Sequence, residues 1–544
     1  MAHHLRAIVD VLSARADSHD LAYVFLVDGT AASEQRWSFA DTAAHASTYA
    51  AALTARGVCR GSRVVLAVNP GLDYIAALFG ILSLGAVAVP CFPPLRLKEV
   101  DRFHAILVDC EPQAVVIDAM YSSAIDALRD RLAGSQIHPE ICYIDDVTAD
   151  AQPAAPAECA LGDLALIQYT SGSTGTPKGV CITHDNLVSN CQALDRSMGL
   201  DPNRVGFSWL PPYHDMGLIG TIILSLYYGW PLVLMSPMHF VQEPSRWLQA
   251  INDYRVTITV GPNFSLDLAA TALDSMSDGP ELSTVREVYC GAEPISAATI
   301  ARFEAAAAPF GFDGAALIPC YGMAEVTLFI CGKPKDSRYK VVNDVVSCGT
   351  VDSEHTVRIV DPESGQPVAD GGVGEIWVSG RSVAAGYYRR DALTAEVFGN
   401  KLPADPNTYL RTGDLGFYSG GELFVTGRIK DLIIVSGRNI YPQDVEASVV
   451  RTDPALRSAV AFSVPGDASE RLIVLAEAVL ANGRADHGAS LTDAIRSSVT
   501  SEFGIGPEVH ICPKRTIPTT TSGKIRRQEA KRLFLADAIQ GATL

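Results

Sequence analysis

Tyr169-Thr-Ser-Gly-Ser-Thr-Gly-Thr-Pro-Lys-Gly179 combines glycines, hydroxyl side chains and one lysine in a single short run. Glycine reaches backbone angles that are closed to other residues, so consecutive amide N–H groups can turn toward one anion. Lys178 adds a positive charge, and the strand-like run Leu164–Tyr169 precedes the loop, as is usual for a phosphate cradle. The spacing of a Walker A loop is absent. The run is therefore a candidate phosphate-binding loop, with a Ser/Gly-rich surface linker as the alternative at this point.

The composition is that of a folded protein with more than one domain. Its 544 residues exceed one ordinary core, and 48% of them are hydrophobic and 19% charged. A net charge of −18 argues against broad binding to nucleic acid or to anionic membranes, because such binding needs a basic face. Twelve cysteines without a CxxC pair indicate reduced thiols in a cytoplasmic protein. No signal peptide is predicted, and the apolar runs Tyr74–Pro90 and Leu218–Leu234 are too short and interrupted to span a membrane.

Short apolar strands alternate with helices through the first three-quarters of the chain. This alternation predicts mostly parallel sheets that are covered by helices on both faces. The predicted strands are Val64–Val68, Ala86–Pro90, Ala114–Asp118, Pro231–Met235 and Thr257–Val260, and the predicted helices are Asp73–Leu84, Asp215–Tyr228 and Glu243–Arg255.

From about His355 the pattern changes to closely spaced β segments, at Thr356–Val360, Gly374–Val378 and Glu422–Val425. After Arg428 a small α+β unit begins, with a long apolar strand at Leu472–Val479 and a helix near Leu491–Phe503. We therefore expect an α/β protein of two domains. Residues 1–429 form a large N-terminal domain of several subdomains with parallel sheets and a small β region, and residues 430–544 form a small α+β domain.

Two further motifs carry polar or small residues beside predicted strands. His214 lies between a strand and an apolar helix, where it can gate a pocket or steady a carboxylate. A lone histidine is more often a hydrogen-bonded core residue. Gly291 ends a strand in Tyr289-Cys-Gly-Ala-Glu-Pro294, which lets a flat ligand approach the backbone. A plain turn explains that glycine equally well.

Three charged residues complete the candidate chemistry. Glu325 in Tyr321-Gly-Met-Ala-Glu325 is a candidate Mg²⁺ ligand, because Mg²⁺ takes one or two carboxylates plus phosphate oxygens. Its alternative is a favourable interaction with a helix dipole. Asp414 can accept hydrogen bonds from two ribose hydroxyls, or it can lie in a turn that binds no ligand. Lys524 lies on a Ser-Gly loop from which an ammonium can swing into a site, whereas a solvated basic patch is the usual alternative.

Together and in this order, the motifs resemble those of the adenylate-forming superfamily, which includes acyl-CoA synthetases, luciferases and peptide-synthetase adenylation domains. The resemblance covers about residues 20–532 and is greatest to the fatty acyl-AMP ligase branch. The segments that carry the likeness to this branch are Trp209–Gly220, Leu234–Pro237, Arg246–Leu248, Gly261–Phe264, Gly291–Pro294, Ser347–Gly349 and Tyr441–Glu446.

The resemblance implies a role for each candidate residue. ATP phosphates would bind Thr170, Ser171, Gly172, Ser173, Thr174, Gly175 and Lys178. The rest of the nucleotide would contact Gly291, Ala292, Glu293, Tyr321, Gly322, Met323, Asp414 and Arg428. Tyr321 would stack on the adenine, Asp414 would bind the ribose, and Arg428 would bind the ribose or a phosphate. Glu325 would hold Mg²⁺, and Lys524 would bridge the acid carboxylate and the α-phosphate. The acyl pocket would involve Tyr213, His214, Phe264, Cys290 and Gly291, the C-terminal domain would swing about Lys430 or Asp431, and Ser436, Gly437 and Arg438 would face the thiol acceptor.

The chain departs from the ligase branch at one informative place. Members of that branch characteristically carry an inserted segment after the Tyr-Gly-x-Ala-Glu block, which is thought to restrict the domain motion needed for transfer to CoA. Here only residues 326–347 separate Glu325 from Cys348, which leaves no room for a full insertion. Cys290 replaces a common asparagine, and Ser436-Gly437 is more similar to the CoA synthetases. The resemblance therefore implies that formation of a CoA thioester is permitted.

Three functional hypotheses follow. The first is an ATP- and Mg²⁺-dependent acyl-CoA ligase that acts through acyl-AMP, with CoA as co-substrate. The second is a fatty acyl-AMP ligase that delivers its adenylate to a separate acyl carrier protein, and the third is a relative that binds an adenylate without making it. A hydrophobic acid is expected, because the segments Tyr213–Leu224 and Met238–Phe264 are apolar and aromatic.

Overall fold

Two large sheets flanked by helices form most of the protein in the computed structural model. The structure describes residues 7–94, 97–148, 156–170, 177–199, 201, 203–435, 438–465, 470–479, 485–520 and 524–539. All twelve cysteines lie in these ranges and are free thiols. None of the helices in these ranges is both long enough and apolar enough to cross a membrane.

The first sheet has six strands in the order β6-β5-β3-β4-β7-β8, all parallel except the edge strand β8, which runs antiparallel to β7. The elements from the start of the chain to this edge are α1 (Ile8–Ala14), β1 (Leu21–Leu26), β2 (Glu34–Ser38), α2 (Phe39–Thr54), β3 (Arg63–Ala67), α3 (Leu72–Ser83), β4 (Val87–Pro90), α4 (Leu97–Cys110), β5 (Ala114–Ile117), α5 (Ser122–Leu132), β6 (Glu140–Tyr143), β7 (Leu164–Thr170) and β8 (Lys178–Thr183). The strands predicted from apolar runs in this part of the chain are confirmed.

The second sheet has nine strands in the order β17-β14-β13-β12-β11-β9-β10-β1-β2, parallel in its centre and antiparallel at both edges. Its remaining elements are α6 (His184–Met198), β9 (Gly206–Ser208), α7 (Asp215–Gly217), a π-helical segment (Leu218–Ile223), α8 (Leu224–Tyr228), β10 (Leu232–Met235), α9 (Pro237–Gln242), α10 (Ser245–Tyr254), β11 (Ile258–Gly261), α11 (Asn263–Asp274), β12 (Glu287–Cys290), α12 (Ala297–Ala307), β13 (Leu317–Gly322) and β14 (Phe329–Gly332). The helix predicted at Asp215–Tyr228 is confirmed, with a π-helical centre that the sequence pattern did not indicate.

One apolar core joins the two sheets. Leu66 on β3 and Val233 on β10 belong to the same cluster of buried side chains, together with residues of α2, α3 and α6. Helix α2 begins at a well-defined cap, since Ser38 and Asp41 form a reciprocal capping box. The prediction of mostly parallel sheets with helices on both faces is confirmed.

A small antiparallel region follows, as expected from the closely spaced β segments. Its elements are β15 (Val341–Val342), β16 (Val345–Val346), β17 (Thr350–Val351), β18 (His355–Val360), β19 (Gly374–Gly380), α13 (Asp391–Phe398), β20 (Leu410–Ser419) and β21 (Glu422–Arg428). Strands β18 to β21 form one four-stranded sheet. The short stretch after Glu325 is filled by β14 and by the β15–β16 hairpin, so the described chain is compact at this place.

The C-terminal part contains its own sheets and its own apolar clusters. Its elements are β22 (Ile433–Val435), β23 (Arg438–Ile440), α14 (Pro442–Thr452), β24 (Leu456–Val464), β25 (Arg471–Ala478), α15 (Ala485–Phe503), β26 (Glu508–Cys512) and α16 (Arg527–Leu535). Strands β24, β25 and β26 form a three-stranded sheet. The two apolar clusters here consist of residues from Ile433 onward.

A buried ion pair anchors β12, the strand that leads to the Gly291–Glu293 segment. Arg204 and Glu287 retain 4% and 1% of their side-chain exposure, and their Nη2 and Oε2 atoms are 3.2 Å apart. Lys335 also lies 3.2 Å from Glu287. If a buried carboxylate loses a neighbouring cation, its negative charge is poorly balanced. In a low-dielectric interior this lowers the stability of the folded protein.

We expect Arg204→Met to lower the free energy of unfolding by about 3 kcal/mol, because it keeps a similar side-chain volume but removes a charge that Glu287 requires. Urea unfolding followed by tryptophan fluorescence measures the change. Arg129→Ala is the control, since its pair with Asp126 is largely exposed and contributes about 0–1 kcal/mol. Equal unfolding midpoints for the two variants would contradict this role of Arg204.

Candidate active site

A cleft of about 1260 Å³ lies at the carboxyl ends of several parallel strands and extends to the C-terminal part of the chain. Ligands of open α/β sheets commonly bind at this edge of the sheet. The charged side chains that line it include Lys178, Glu325, Asp414 and Lys524, which come from four separate segments. The structure therefore brings the main sequence-predicted charged residues together.

The glycine- and hydroxyl-rich loop connects two antiparallel strands. Thr170 at the end of β7 pairs with Lys178 at the start of β8. The loop is thus followed by a strand, whereas many phosphate loops lead into a helix. Tyr169 anchors its base, because the Tyr169 hydroxyl donates to Asp109 Oδ2 at 2.6 Å. The predicted phosphate ligands Ser171, Gly172, Ser173, Thr174 and Gly175 lie outside the described residues.

Glu325 follows β13 in a short 3₁₀ turn and is 9% exposed. Its Oε1 accepts a hydrogen bond of 2.9 Å from the Tyr387 hydroxyl. Burial raises the pKa of Glu325, and the Tyr387 hydrogen bond acts in the opposite direction. Lys178 Nζ lies 5.3 Å from the centroid of the Tyr387 ring, and burial, with nearby Lys430, lowers the pKa of Lys178. One tyrosine therefore contacts both the carboxylate and the ammonium.

Asp414 lies between a hydroxyl and a guanidinium. Tyr321 donates to Asp414 Oδ2 at 2.7 Å, and Arg428 Nε lies 2.9 Å from Asp414 Oδ1. These contacts follow from the sheet, because Asp414 on β20 pairs directly with Arg428 on β21. The Asp414 carboxylate raises the pKa of Arg428, so the guanidinium keeps its charge. A carboxylate has about four acceptor sites, so two contacts leave capacity for ribose hydroxyls.

The predicted nucleoside segments line the cleft only in part. Ala292, Glu293, Tyr321, Gly322 and Met323 lie in its wall, whereas Gly291 lies behind it. A Cβ on Gly291 would come within 2.9 Å of Cys320 Sγ, and a Cβ on Gly322 would collide with the carbonyl of Leu328. These two glycines therefore allow close packing of neighbouring strands. Glu293 accepts a 2.7 Å hydrogen bond from the Phe264 amide, and burial raises its pKa.

Lys524 reaches the cleft from the C-terminal part of the chain. Its amide donates to Thr520 Oγ1 at 3.0 Å, and the Thr520 amide donates to its carbonyl at 2.7 Å. Burial lowers the pKa of Lys524, while Asp215 and Glu293 favour its charged form. Burial also lowers the pKa of His214, to about 3, with Lys524 as the second cause. His214 is thus neutral near pH 7.

Part of the cleft wall is apolar and comes from α6, α8 and strands of the second sheet; this part is called the apolar recess. Its lining includes Leu194, Met198, Leu224, Ile258 and Phe329. Of the residues predicted for the acyl pocket, His214 and Phe264 line the cleft, and Tyr213 lines a small adjoining cavity of about 60 Å³. Cys290 is fully buried and lines neither cavity. Leu224 and Ile258 lie in the two apolar segments named from the sequence, whereas Leu194 and Met198 on α6 were not singled out, because an apolar helix face by itself only indicates a core.

The predicted hinge is a 3₁₀ turn, Ile429–Asp431, between β21 and β22. Gln528 on α16 donates to the Lys430 carbonyl at 2.9 Å and to Asp431 Oδ1 at 3.1 Å. Arg527 Nη1 lies 3.5 Å from Asp431 Oδ2. The helix that follows the Lys524 loop is therefore attached to the turn at Lys430. Ser436 and Gly437 lie outside the described residues, and Arg438 begins β23.

A family model for AMP-binding enzymes matches residues 12–388. The chain belongs to the AMP-binding enzyme family. It is 37% identical to the medium-chain-fatty-acid–[acyl-carrier-protein] ligase JamA of Moorena producens over 520 residues, which cover 88% of this chain and 86% of that protein. It is 35% identical over 503 residues to FadD21 of Mycobacterium tuberculosis, which bears the name of a fatty-acid–CoA ligase, with 86% of each chain covered.

Solved structures give the same family and fold. A fatty acyl-adenylate ligase of Legionella pneumophila, in complex with acyl adenylate and pyrophosphate, is 33% identical and superimposes with a TM-score of 0.73 over 97% of this chain and 96% of the other. The resemblance inferred from the motifs is therefore confirmed at the level of family and fold, and relatives of this chain are acid–thiol and acyl-AMP ligases.

Among the polar residues of the site, sequence reasoning missed Tyr387. Tyr387 lies 62 positions after Glu325 and forms a hydrogen bond with it across the cleft wall. The only local signal is an aromatic residue after Gly386, which is common in any chain. Its partner could be identified only from the fold.

The depressed pKa of His214 gives a test of its environment. In the unfolded chain an ordinary histidine pKa is near 6.5, so the unfolded state binds a proton between about pH 6.5 and pH 3 that the folded state does not. Stability is therefore lost as the pH falls through this window. We expect wild type to lose about 2 kcal/mol more stability than His214→Gln between pH 7 and pH 5. Urea unfolding at both pH values measures the difference, and parallel pH dependences would refute a neutral His214 in the folded protein.

Proposed function

We propose that this protein activates a hydrophobic carboxylic acid with ATP, forms an acyl-AMP intermediate and transfers the acyl group to CoA. One observation carries the proposal. Three cations, Lys178, Arg428 and Lys524, converge with the carboxylates Glu325 and Asp414 beside an apolar recess. A cleft of this composition suits a polyanion next to an acyl chain.

The cations suit the first half-reaction because that reaction joins two anions. An oxygen of the acid carboxylate attacks the α-phosphorus of ATP, the bond from that phosphorus to the bridging oxygen breaks, and pyrophosphate leaves. Preorganised positive charge lowers the barrier where negative charge develops. We assign Lys524 to the space between carboxylate and α-phosphate, and Lys178, with the loop Thr170–Gly175, to the departing phosphates.

The nucleoside roles rest on the same geometry. We assign the ribose hydroxyls to Asp414 and Arg428, and the adenine to Tyr321 and the Ala292–Glu293 wall, with Gly291 supporting that wall from behind. His214 and Phe264 adjoin the acyl end of the cleft. Because His214 is neutral, it does not compete with Lys524 for the acid carboxylate.

The residues present fit a magnesium ion. Glu325 supplies one carboxylate that faces the cleft, and within the described ranges no group of three metal-ligating side chains converges. Mg²⁺ commonly takes one or two protein carboxylates and completes its shell with phosphate oxygens and water. The chemistry that Mg²⁺ supplies when bound is neutralisation of phosphate charge.

We further propose that residues 1–429 and 430–544 are two domains and that the second swings about Lys430 or Asp431. Separate apolar clusters on the two sides of this turn support the division. The swing would withdraw Lys524 and bring the Ser436–Arg438 loop to the acyl-AMP. The thiol sulfur then attacks the acyl carbonyl carbon, AMP leaves with the electrons of the broken C–O bond, and the thiol proton passes to solvent. Domain motion of this kind lets one cleft perform two reactions.

A second candidate function is delivery of the adenylate to a separate acyl carrier protein. The similarity to JamA, whose name describes a ligase for acyl carrier protein, favours it. The compact segment between Glu325 and Cys348 and the similarity to FadD21 favour CoA instead. A cytoplasmic location is part of the proposal, and the free state of all twelve cysteines supports it.

Lys524→Ala tests the first half-reaction. Loss of the ammonium should reduce ATP–pyrophosphate exchange by about 100-fold or more, because one preorganised charge at the reacting atoms is removed. Lys514→Ala is the matched control, since Lys514 is an exposed lysine of the same region. The rates are measured with a panel of saturated fatty acids. Unimpaired exchange in Lys524→Ala would overturn the assigned role.

A product assay distinguishes the acceptors. Purified protein is incubated with ATP, Mg²⁺ and the acid panel, alone, with CoA, or with a phosphopantetheinylated acyl carrier protein, and products are identified by mass spectrometry. We expect acyl-CoA to accumulate. Adenylate that persists with CoA but is consumed by the carrier protein would establish the second candidate, and no adenylate with any acid would reject both.

A further inference from the structure

Tyr387 contacts two residues of opposite charge that the proposed reaction uses. Its hydroxyl donates to Glu325 Oε1 at 2.9 Å. Its ring lies beneath the Lys178 ammonium, with 5.3 Å from Nζ to the ring centroid. The side chain is 8% exposed and also packs edge-on against Phe398, at 5.2 Å between ring centroids. It is therefore held in one place from several sides.

The backbone around Tyr387 is tied to the same two segments. The Tyr388 amide donates to the Gly179 carbonyl at 2.7 Å, and Cys181 exchanges hydrogen bonds of 2.9 Å with Gly386 and Ala385. The Ala384 amide donates to the Glu325 carbonyl at 2.9 Å. Residues 384–388 thus extend the edge of β8 and fasten it to the turn that carries Glu325.

The conformation of this segment leaves little freedom at Tyr387. Gly386 has a φ of +133°, which disfavours any side chain, and a Cβ there would collide with Thr394. The Tyr387 amide donates to Thr394 Oγ1 at 2.9 Å. The backbone position of Tyr387 is therefore fixed before any ligand binds, and the contacts with Glu325 and Phe398 hold its side chain.

We propose that Tyr387 is a positioning residue that sets the geometry of both the metal-binding carboxylate and the phosphate-loop lysine. The inference rests on the proposed function, in which Glu325 holds Mg²⁺ and Lys178 accompanies the departing phosphates. A single carboxylate with one fixed oxygen presents its remaining lone pairs in one direction. Hydrogen-bond partners of metal ligands commonly control metal affinity in this way.

The ring has a separate task from the hydroxyl. An ammonium over an aromatic face is attracted to it and gives up little of its charge. The ring therefore holds Lys178 near Glu325 without the direct ion pair that would compete with metal and phosphate. Tyrosine supplies both functions at once, and phenylalanine supplies only the second.

The test measures metal binding without catalysis. Full-length wild type, Tyr387→Phe and Tyr409→Phe are titrated with Mn²⁺ in the presence of α,β-methylene-ATP, which cannot be cleaved at the reacting bond, and free Mn²⁺ is followed by electron paramagnetic resonance. Tyr387→Phe should bind Mn²⁺ about 10–100-fold more weakly. Tyr409→Phe is the matched control, because its buried hydroxyl donates to Asp405 at 2.7 Å, outside the cleft. It should bind as wild type does.

A double-mutant cycle separates positioning from a general structural effect. If Tyr387 acts through Glu325, Tyr387→Phe should have no further effect on Mn²⁺ affinity in a Glu325→Gln background. In ATP–pyrophosphate exchange, the Mg²⁺ concentration for half-maximal rate should rise, and saturating Mg²⁺ should restore most of the rate. Tyr387→Leu, which also removes the ring, should in addition weaken nucleotide binding measured in EDTA.

The outcomes distinguish this inference from the function on which it rests. Unchanged Mn²⁺ affinity in Tyr387→Phe, or an equal loss in the Glu325→Gln background, overturns the positioning role even if wild type makes adenylate. Wild type that binds Mn²⁺ and nucleotide with the expected dependence on Tyr387, yet adenylates no acid, supports the positioning role and rejects the proposed function. Wild type that binds no Mn²⁺ with nucleotide overturns both.

Discussion

A protein with a net charge of −18 that binds a nucleotide must concentrate positive charge where the phosphates lie, and this requirement shapes the cleft. Each cation is held by a different means. Arg428 is paired with Asp414 across two strands, Lys178 lies over the Tyr387 ring, and the Lys524 backbone is hydrogen-bonded to Thr520 in the C-terminal part. The carboxylates that balance them, Asp414 and Glu325, are themselves hydrogen-bonded by tyrosines. Opposite charges in the site therefore lie close together in two ways. Arg428 and Asp414 form a direct ion pair, whereas Lys178 and Glu325 contact the same tyrosine.

The sheets explain how residues so distant in sequence reach one place. Parallel strands end at the same edge, so the segments after β12 and β13 meet there, and the β7–β8 hairpin of the first sheet faces them. The antiparallel region adds Asp414 and Arg428 as a directly opposed pair. Burial then adjusts the chemistry, because it lowers the pKa of Lys524 and Lys178 and raises the pKa of Glu325 and Glu293. Neighbouring opposite charges counter these shifts.

Local sequence patterns predicted the strands and helices well because apolar runs and their period depend on neighbours in the chain. They predicted less where the role of a residue depends on the direction of its side chain or on contacts with distant segments of the chain. Cys290 belongs to a motif that suggests a pocket, yet side chains alternate along β12, so Tyr289 faces the cleft and Cys290 is buried away from it. Tyr387 was missed because its partners, Glu325 and Lys178, lie in other segments. Family resemblance supplied the roles of the charged residues, which composition and spacing left open.

The π-helical segment Leu218–Ile223 affects the shape of the apolar recess. A π turn holds one residue more than an α turn, so every side chain beyond it is rotated by about 100° relative to an uninterrupted α-helix. Leu224, the first residue of α8, lines the recess, and Gly220 within the segment lines it as well. The position of Leu224 in the wall of the recess thus depends on how the preceding backbone is wound. Deletion of one residue from this segment would rotate the side chains of α8 about the helix axis. The shape of the apolar recess would then change even though its lining side chains stay the same.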